Sequence, residues 1–410
     1  MTEAALADAA NEAIEALCGT PGSFSDRQVR RWLSGDVTKP WPKTVLAVAH
    51  ALQTDPDRLG WRLDGRVIRV PAGAASSSPP PTTPQENPPV LRREFLSAAT
   101  ASLFDAALPP AGRIGITDVD RVRSRLESLH EIDDLSGGTQ LAYVAEELAR
   151  RVETAMRNCV FGPRVERALY VVLGEIYASA GWYAFDSSDN STAAAHYDAA
   201  LRAGMLAGDR TLQARVWACM SRLAWELRRS AETITIARVA LDATRNGRDP
   251  RLGALLHCRL AIGYAQGGQA ARSGQALARA ETLLGQAEPD GPAWLSFCNE
   301  AEVLGAGAMA YMTLGRPVRA VELEEYGSTA VIGRYRRNHY AKLVHLALCQ
   351  LGAGRVEEAA GSASQAVGLR EHVTCPRWDA RLCDFRKAVD AYTVPEARQF
   401  VARYDAVVAA

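Results

Sequence analysis

No segment of this 410-residue chain is apolar for long enough to span a bilayer, and its charges cancel, with 47 Lys and Arg against 47 Asp and Glu. The first absence argues against a membrane-spanning protein. The second removes any whole-molecule field that would draw the chain onto nucleic acid or an anionic lipid surface, so DNA contact has to come from a local patch. The eight cysteines, at positions 18, 159, 219, 258, 298, 349, 375 and 383, include no C-x-x-C pair and have no histidine at ligand spacing. That scatter predicts small core thiols in a reducing, cytoplasmic setting and no metal site. His257 and Cys258 come nearest to a metal pair, yet adjacent helical side chains diverge by about 100° and cannot close on one ion. Also missing are a Ser/His/Asp or Cys/His order, an H-E-x-x-H motif and paired carboxylates in a cleft setting, so no catalytic residue and no cofactor is assigned and the chain reads as a non-enzyme. Gly361-Ser362-Ala363-Ser364 has no strand ahead of it that would offer a phosphate to a helix N-terminus. Strand signals are almost absent, Arg66–Val70 being the main one, and from Thr117 onward nearly everything has helical period.

What is present is most informative at Phe24–Gly35, followed by Pro40, Pro42 and the apolar-periodic Val45–Leu52. Ser23 or Ser25 can cap a helix here, Asp26 suits its positive end, and Gly35 stops it. On that helix Val29, Trp32 and Leu33 fall on one side, which leaves Arg27, Gln28, Arg30 and Arg31 for the outer surface. Arg and Gln are the side chains that reach base edges and phosphates in a major groove, so Ser25, Arg27, Gln28, Arg30, Arg31, Lys39 and Lys43 are the candidate contacts to double-stranded DNA. The acidic Glu3, Asp8, Glu12 and Glu15 offset these cations and predict modest affinity from one module, hence a homodimer.

The order of these elements, from helix Leu6–Leu17 through a tight Gly19–Gly22 connection to the capped basic helix, its Gly stop and a further apolar helix ending at Asp57-Arg58-Leu59-Gly60, resembles the phage-repressor (XRE) class of helix-turn-helix proteins. In that resemblance Val29–Gly35 stands where the class carries the end of its recognition helix. The class places one more helix ahead of the segment Leu6–Asn11. A pared-down domain, a start further upstream and weakened DNA binding would each account for that difference.

Between Pro71 and Pro89 the chain has repeated Pro, Ser and Thr and no large apolar residue, the composition of a flexible to semi-extended tether. The expected division is therefore a helix-turn-helix domain at 1–71, a linker at 72–92 and an α-helical domain at 93–410. Arg92-Arg93-Glu94-Phe95-Leu96 imitates a twin-arginine export signal, but its place behind a folded domain and Asp105 in the would-be apolar stretch make it a false match.

The large part repeats itself. Leu173–Tyr177 then Ala195–Leu201, Ala261–Tyr264 then Ala276–Ala280, Ala308–Gly315 then Ala320, and Leu346–Leu348 then Glu358–Ala360 each pair an aromatic or aliphatic helix with an Ala-rich one across a short Gly-containing turn. Small residues let antiparallel helices approach, so the reading is an all-α chain whose main body is a tetratricopeptide-like α-solenoid of five or six helix pairs with a period of roughly 40 residues. Gly181–Asp186, Ala200–Gly204, Gly208-Asp209 and Met220-Ser221 are similar to the sensor region of a large actinobacterial group of regulators with an XRE-type N-terminus, an Arg-Arg-x-Phe-Leu segment after the linker and degenerate tetratricopeptide repeats. The resemblance implies a transcriptional regulator whose repeats bind a peptide, protein or small-molecule effector. The alternative is a protein–protein adaptor that no longer binds DNA. The densest basic-aromatic cluster, Arg334, Arg336, Arg337, His339 and Tyr340, is the candidate effector surface, because a cationic fork over an aromatic plane suits carboxylates. Asp186, Asp189 and Asn190 lack the Gly and distal Glu of a calcium loop and read as a capping turn. Trp182, Trp217, Trp225 and Trp294 read as inter-repeat packing.

Because a Pro/Ser/Thr-rich segment cannot bury enough apolar surface to order itself, limited proteolysis should cut between about residues 72 and 92 and release two folded pieces. Resistance of that segment, followed by gel and mass spectrometry, would refute the tether.

Overall fold

The computed structural model describes residues 2–18, 29–30, 33, 48–49, 51–52, 108–139, 141–246, 249–288, 293–328, 335–370 and 372–409. The chain divides into two compact units, Met1–Glu86 and Asn87–Ala410. The tether at 72–92 and the Arg66–Val70 segment lie outside the described residues.

In the first unit α1 (Glu3–Cys18) buries Leu6, Ala7, Ala10 and Ala13, the i, i+3, i+4 stripe that Ala-rich helices use for packing. Val29 packs against Leu6 and Ala7, as its apolar periodicity implied. Leu33, expected on the same side, is instead 67% exposed, which corrects that part of the helical-face reading.

The described residues of the second unit are almost entirely helical, in keeping with the all-α expectation. Its elements are α2 (Ile116–Ser136), α3 (Leu141–Asn158), α4 (Pro163–Asp186), α5 (Asn190–Leu206), α6 (Arg210–Glu226), α7 (Ser230–Ala243), α8 (Pro250–Gln266), α9 (Ala270–Leu284), α10 (Glu300–Thr313), α11 (Pro317–Ser328), α12 (Arg336–Gly352), α13 (Val356–Arg370), α14 (Pro376–Val389) and α15 (Pro395–Ala409). Strand is confined to β1 (Gly112–Arg113) and β2 (Cys159–Val160), which pair in parallel.

Five hairpins, α4/α5, α6/α7, α8/α9, α10/α11 and α12/α13, are built alike, each closed by three residues. The middle residue of each turn has positive φ: Ser188, Arg228, Gly268, Gly315 and Gly354, at intervals of 40, 40, 47 and 39 residues. In each, the residue that follows donates its N–H to the carbonyl five positions back, as Asp189 does to Ala184 and Gln269 to Tyr264, at 2.9 and 2.8 Å. This closure satisfies carbonyls that a helix end would leave orphaned. Sequence inspection paired four of these hairpins, although the Gly-containing turn expected in each is absent from α4/α5, whose turn is Ser187-Ser188-Asp189. It passed over α6/α7, whose turn carries Arg228 where glycine is expected.

The even-numbered helices α4, α6, α8, α10 and α12 pack each on the next, and the stack then closes on itself: α12 reaches α2, and α14 reaches α4. At the closure the Thr374 N–H donates to the Ser136 carbonyl at 2.9 Å. Gly137, at φ +88°, sits so close that a Cβ there would lie 2.1 Å from the Thr374 carbonyl oxygen. Only glycine satisfies both constraints.

An L-residue in the left-handed region costs about 1–2 kcal/mol, and glycine's greater unfolded-state freedom recovers only part of that. Arg228→Gly should therefore stabilise the protein by about 0.5 kcal/mol in denaturant titration, and no gain would mean that the Arg228 side chain compensates its backbone.

Candidate functional site

Closure of the stack leaves a central cavity of about 300 Å³ that is open on one part of its surface. Its walls come from α2 (His130, Asp133, Asp134), α4 (Ser179, Trp182), α6 (Arg215, Cys219, Arg222), α8 (Arg259), the turn before α10 (Trp294, Phe297), α10 (Glu302, Met309), α12 (Arg337, Lys342, His345) and α14 (Arg377, Trp378). These helices alternate small residues toward the neighbouring hairpin with long cationic and aromatic side chains toward the centre, so the cavity is lined with groups that packing alone would not select.

One side of the cavity is the seam itself. Arg337 donates to Asp133 at 2.7 Å and lies 3.3 Å from Asp186, while Arg377 forks onto Asp186 at 2.6 and 3.1 Å through Nη2 and Nε. All four are buried. Burial opposes the charge on Asp186, but Arg337 and Arg377 outweigh it and hold the carboxyl below the ordinary range. Asp133 is raised instead, because burial and the nearby Asp186 charge act against the single guanidinium of Arg337. One step further along, Arg381 donates to both oxygens of Glu226 at 2.6 and 2.9 Å, and Arg222 reaches the same carboxylate at 3.1 Å. Aromatic faces cover these cations: Phe185 lies 4.4 Å from Arg377, Trp225 4.5 Å from Arg222 and Trp378 4.6 Å from Arg381.

The opposite side is less compensated. Among the described residues Arg215 has no carboxylate partner; its Nη2 donates to Ser179 Oγ at 3.3 Å and its guanidinium lies 5.2 Å from the Trp294 ring. Ser179 spends its own proton on the Glu175 carbonyl at 3.0 Å, so the 2.8 Å contact with His130 is donated by Nε2–H. Burial and the Arg215 charge hold that imidazole down to about 3, so it is neutral. Arg259 is 4% exposed and touches Glu302 at 3.3 Å, and its Nε has no partner. Glu324, also buried, lies 3.5 Å from His345 Nδ1 and 3.7 Å from Lys342. Burial opposes the charge on His345, but Cys349 and Glu324 outweigh it and lift the ring to about 10.

The residues singled out from sequence are dispersed. Arg337 is in the seam, not on an exposed surface, and Tyr340 is wholly buried, donating to Asp379 at 2.5 Å. Arg336 is exposed at the start of α12, and Arg334 lies outside the described residues. Asp189 caps α5 by accepting from Thr192 N at 3.0 Å, whereas Asp186, read with it as a turn residue, is a buried counter-ion. Trp182 and Trp294 line the cavity; Trp217 and Trp225 are packing residues. Of the DNA-facing set, Arg30 is exposed and donates to Glu3 at 2.7 and 3.0 Å, and Ser25, Arg27, Gln28, Arg31, Lys39 and Lys43 lie outside the described residues. Buried Cys258, Cys298, Cys349 and Cys375 are free thiols, and burial pushes those of Cys298 and Cys375 up to about 12. Sequence reasoning missed Arg215, Arg222 and Arg259. The usable signal was a charge inside an apolar run, as in Leu255-Leu256-His257-Cys258-Arg259-Leu260.

The sequence matches no protein-family model and no curated protein at a significant level. No described helix is long and apolar enough to cross a membrane.

Removing one partner of a buried pair leaves an uncompensated charge. Asp186→Asn should cost about 3–5 kcal/mol in chemical denaturation, and a cost below 1 kcal/mol would mean that the seam does not hold the closure. Glu226 adds a pH signature. Burial opposes its charge, but Arg222 and Arg381 depress it to about 2 from an ordinary 4.5. Its stabilisation is complete above pH 4.5 and is lost as pH falls toward 2. Glu226→Gln should remove that part of the acid limb.

Proposed function

We propose that this chain is a ligand-responsive transcriptional regulator: a helix-turn-helix module that binds double-stranded DNA, joined to a tetratricopeptide-like sensor that holds its effector in the central cavity. The observation that carries the reading is the cavity wall, where Arg215 and Arg259 are held half-buried to buried with unspent hydrogen-bonding capacity. Buried cations are expensive, and stability alone gives no reason to line an internal space with them. The DNA-binding half rests on Phe24–Gly35 and on the XRE-like order of the elements around it. A cytoplasmic homodimer would place two modules on a two-half-site operator, and occupancy of the cavity would alter their spacing or avidity.

One observation favours the adaptor reading. Arg30, a candidate base reader, is already engaged by Glu3. Such an exposed pair is worth about 0–1 kcal/mol, so phosphate or a guanine edge can displace it. The full chain should bind duplex fragments recovered with it from cells, with affinity falling steeply as salt rises. Arg30→Ala should weaken binding by about 1–3 kcal/mol, and Glu3→Gln should tighten it modestly. Absence of any salt-dependent binding in fluorescence anisotropy would favour the adaptor.

A further inference from the structure

The cavity's charge is distributed unevenly, and that unevenness points to the chemistry of its occupant. Along the seam each cation has a carboxylate: Arg337 and Arg377 share Asp186, and Arg222 and Arg381 share Glu226. Across the cavity, Arg215 pairs with no carboxylate among the described residues, and Arg259 meets one carboxylate oxygen at 3.3 Å with its Nε unused. The two belong to neighbouring helices, α6 and α8, and both line the same cavity together with Cys219. The neutral His130 beside Ser179 adds no counter-charge.

Beside these charges the wall carries a set of aromatic and apolar faces. Trp294 stacks under Arg215, while Trp182, Phe297, Met309 and Trp378 contribute to the same cavity. A free volume of about 300 Å³ is at the small end of ligand pockets, which argues for a compact molecule and against a folded partner or a long peptide.

Building on the regulator reading, we infer that the cavity binds a small aromatic anion, its carboxylate or phosphate held by Arg215 and Arg259 and its ring system lying against Trp294 and the neighbouring aromatic wall. Bidentate guanidinium recognition suits both head groups, and desolvation strengthens it. Arg215 sets the preference for charge, because among the described residues no carboxylate competes with the anion for its guanidinium.

The test uses the full-length protein and a matched pair of fluorescent probes, 8-anilinonaphthalene-1-sulfonate and its uncharged analogue N-phenyl-1-naphthylamine. The sulfonate should bind with one site per chain and at least tenfold more tightly than the neutral probe. Arg215→Met should abolish that margin while circular dichroism stays unchanged, and Arg215→Lys should keep most of it. Displacement by indole-3-carboxylate or by phenyl phosphate then tells which head group the site accepts, and displacement by neither overturns the proposal. Equal affinity for the two probes, or an unchanged margin in Arg215→Met, also overturns it. If Arg215→Met fails to fold, the charge-removing Arg215→Gln takes its place: loss of the margin supports the assignment and an unchanged margin overturns it. DNA binding measured on the same preparations separates the two readings. Salt-dependent DNA binding without a probe preference removes the ligand assignment alone, and a probe preference without DNA binding removes the regulator reading alone.

Discussion

The second unit depends on one buried electrostatic contact, the sharing of Asp186 between Arg337 and Arg377, with Asp133 completing the set. An array of helix hairpins has two free ends, and nearest-neighbour packing by itself does not join them. Here residues separated by 204 and 191 positions form the joint, which brings the two ends of the stack together around a central cavity. Ion pairs are a costly way to make such a joint, since each partner gives up hydration. What they provide is selectivity of register: a one-turn slip of α12 would strand Arg337 and Asp133, and one of α14 would strand Arg377, in each case buried and unmatched.

The same arrangement sets the character of the cavity wall. Arg215 and Arg259 reach it from α6 and α8, each the first helix of a hairpin closed by a three-residue turn. Aromatic faces lie beside the cations throughout, at Trp294, Phe185, Trp225 and Trp378. They exclude water from the guanidiniums and shape the apolar part of the wall at once.

Local chemistry accounts for the hairpins. Asp189, Asp209, Asp249 and Asn299 accept backbone N–H bonds at the starts of α5, α6, α8 and α10. The positive-φ residue that ends each first helix of a pair turns the chain back in three residues. Where that residue is Ser188 or Arg228 the packing of the pair, which buries Tyr197 and Ala237 completely, outweighs a local preference that glycine would satisfy better.

Helical period, alanine spacing, caps and turns are interactions within about five residues, and so the sequence by itself determined that the described residues are almost all helical and where α4/α5, α8/α9, α10/α11 and α12/α13 pair. The buried face of α1 and the inward Val29 were legible for the same reason. The closure was not. Arg337 and Tyr340 looked like an exposed basic-aromatic cluster because their partners, Asp133, Asp186 and Asp379, lie tens to hundreds of residues away, and no local rule distinguishes an arginine facing solvent from one facing a distant carboxylate. Asp186 looked like part of a turn because its neighbour Asp189 is one. Only the tertiary structure decided which cations are neutralised and which are left over, because that balance is set by how six successive helices curve until the last meets the first.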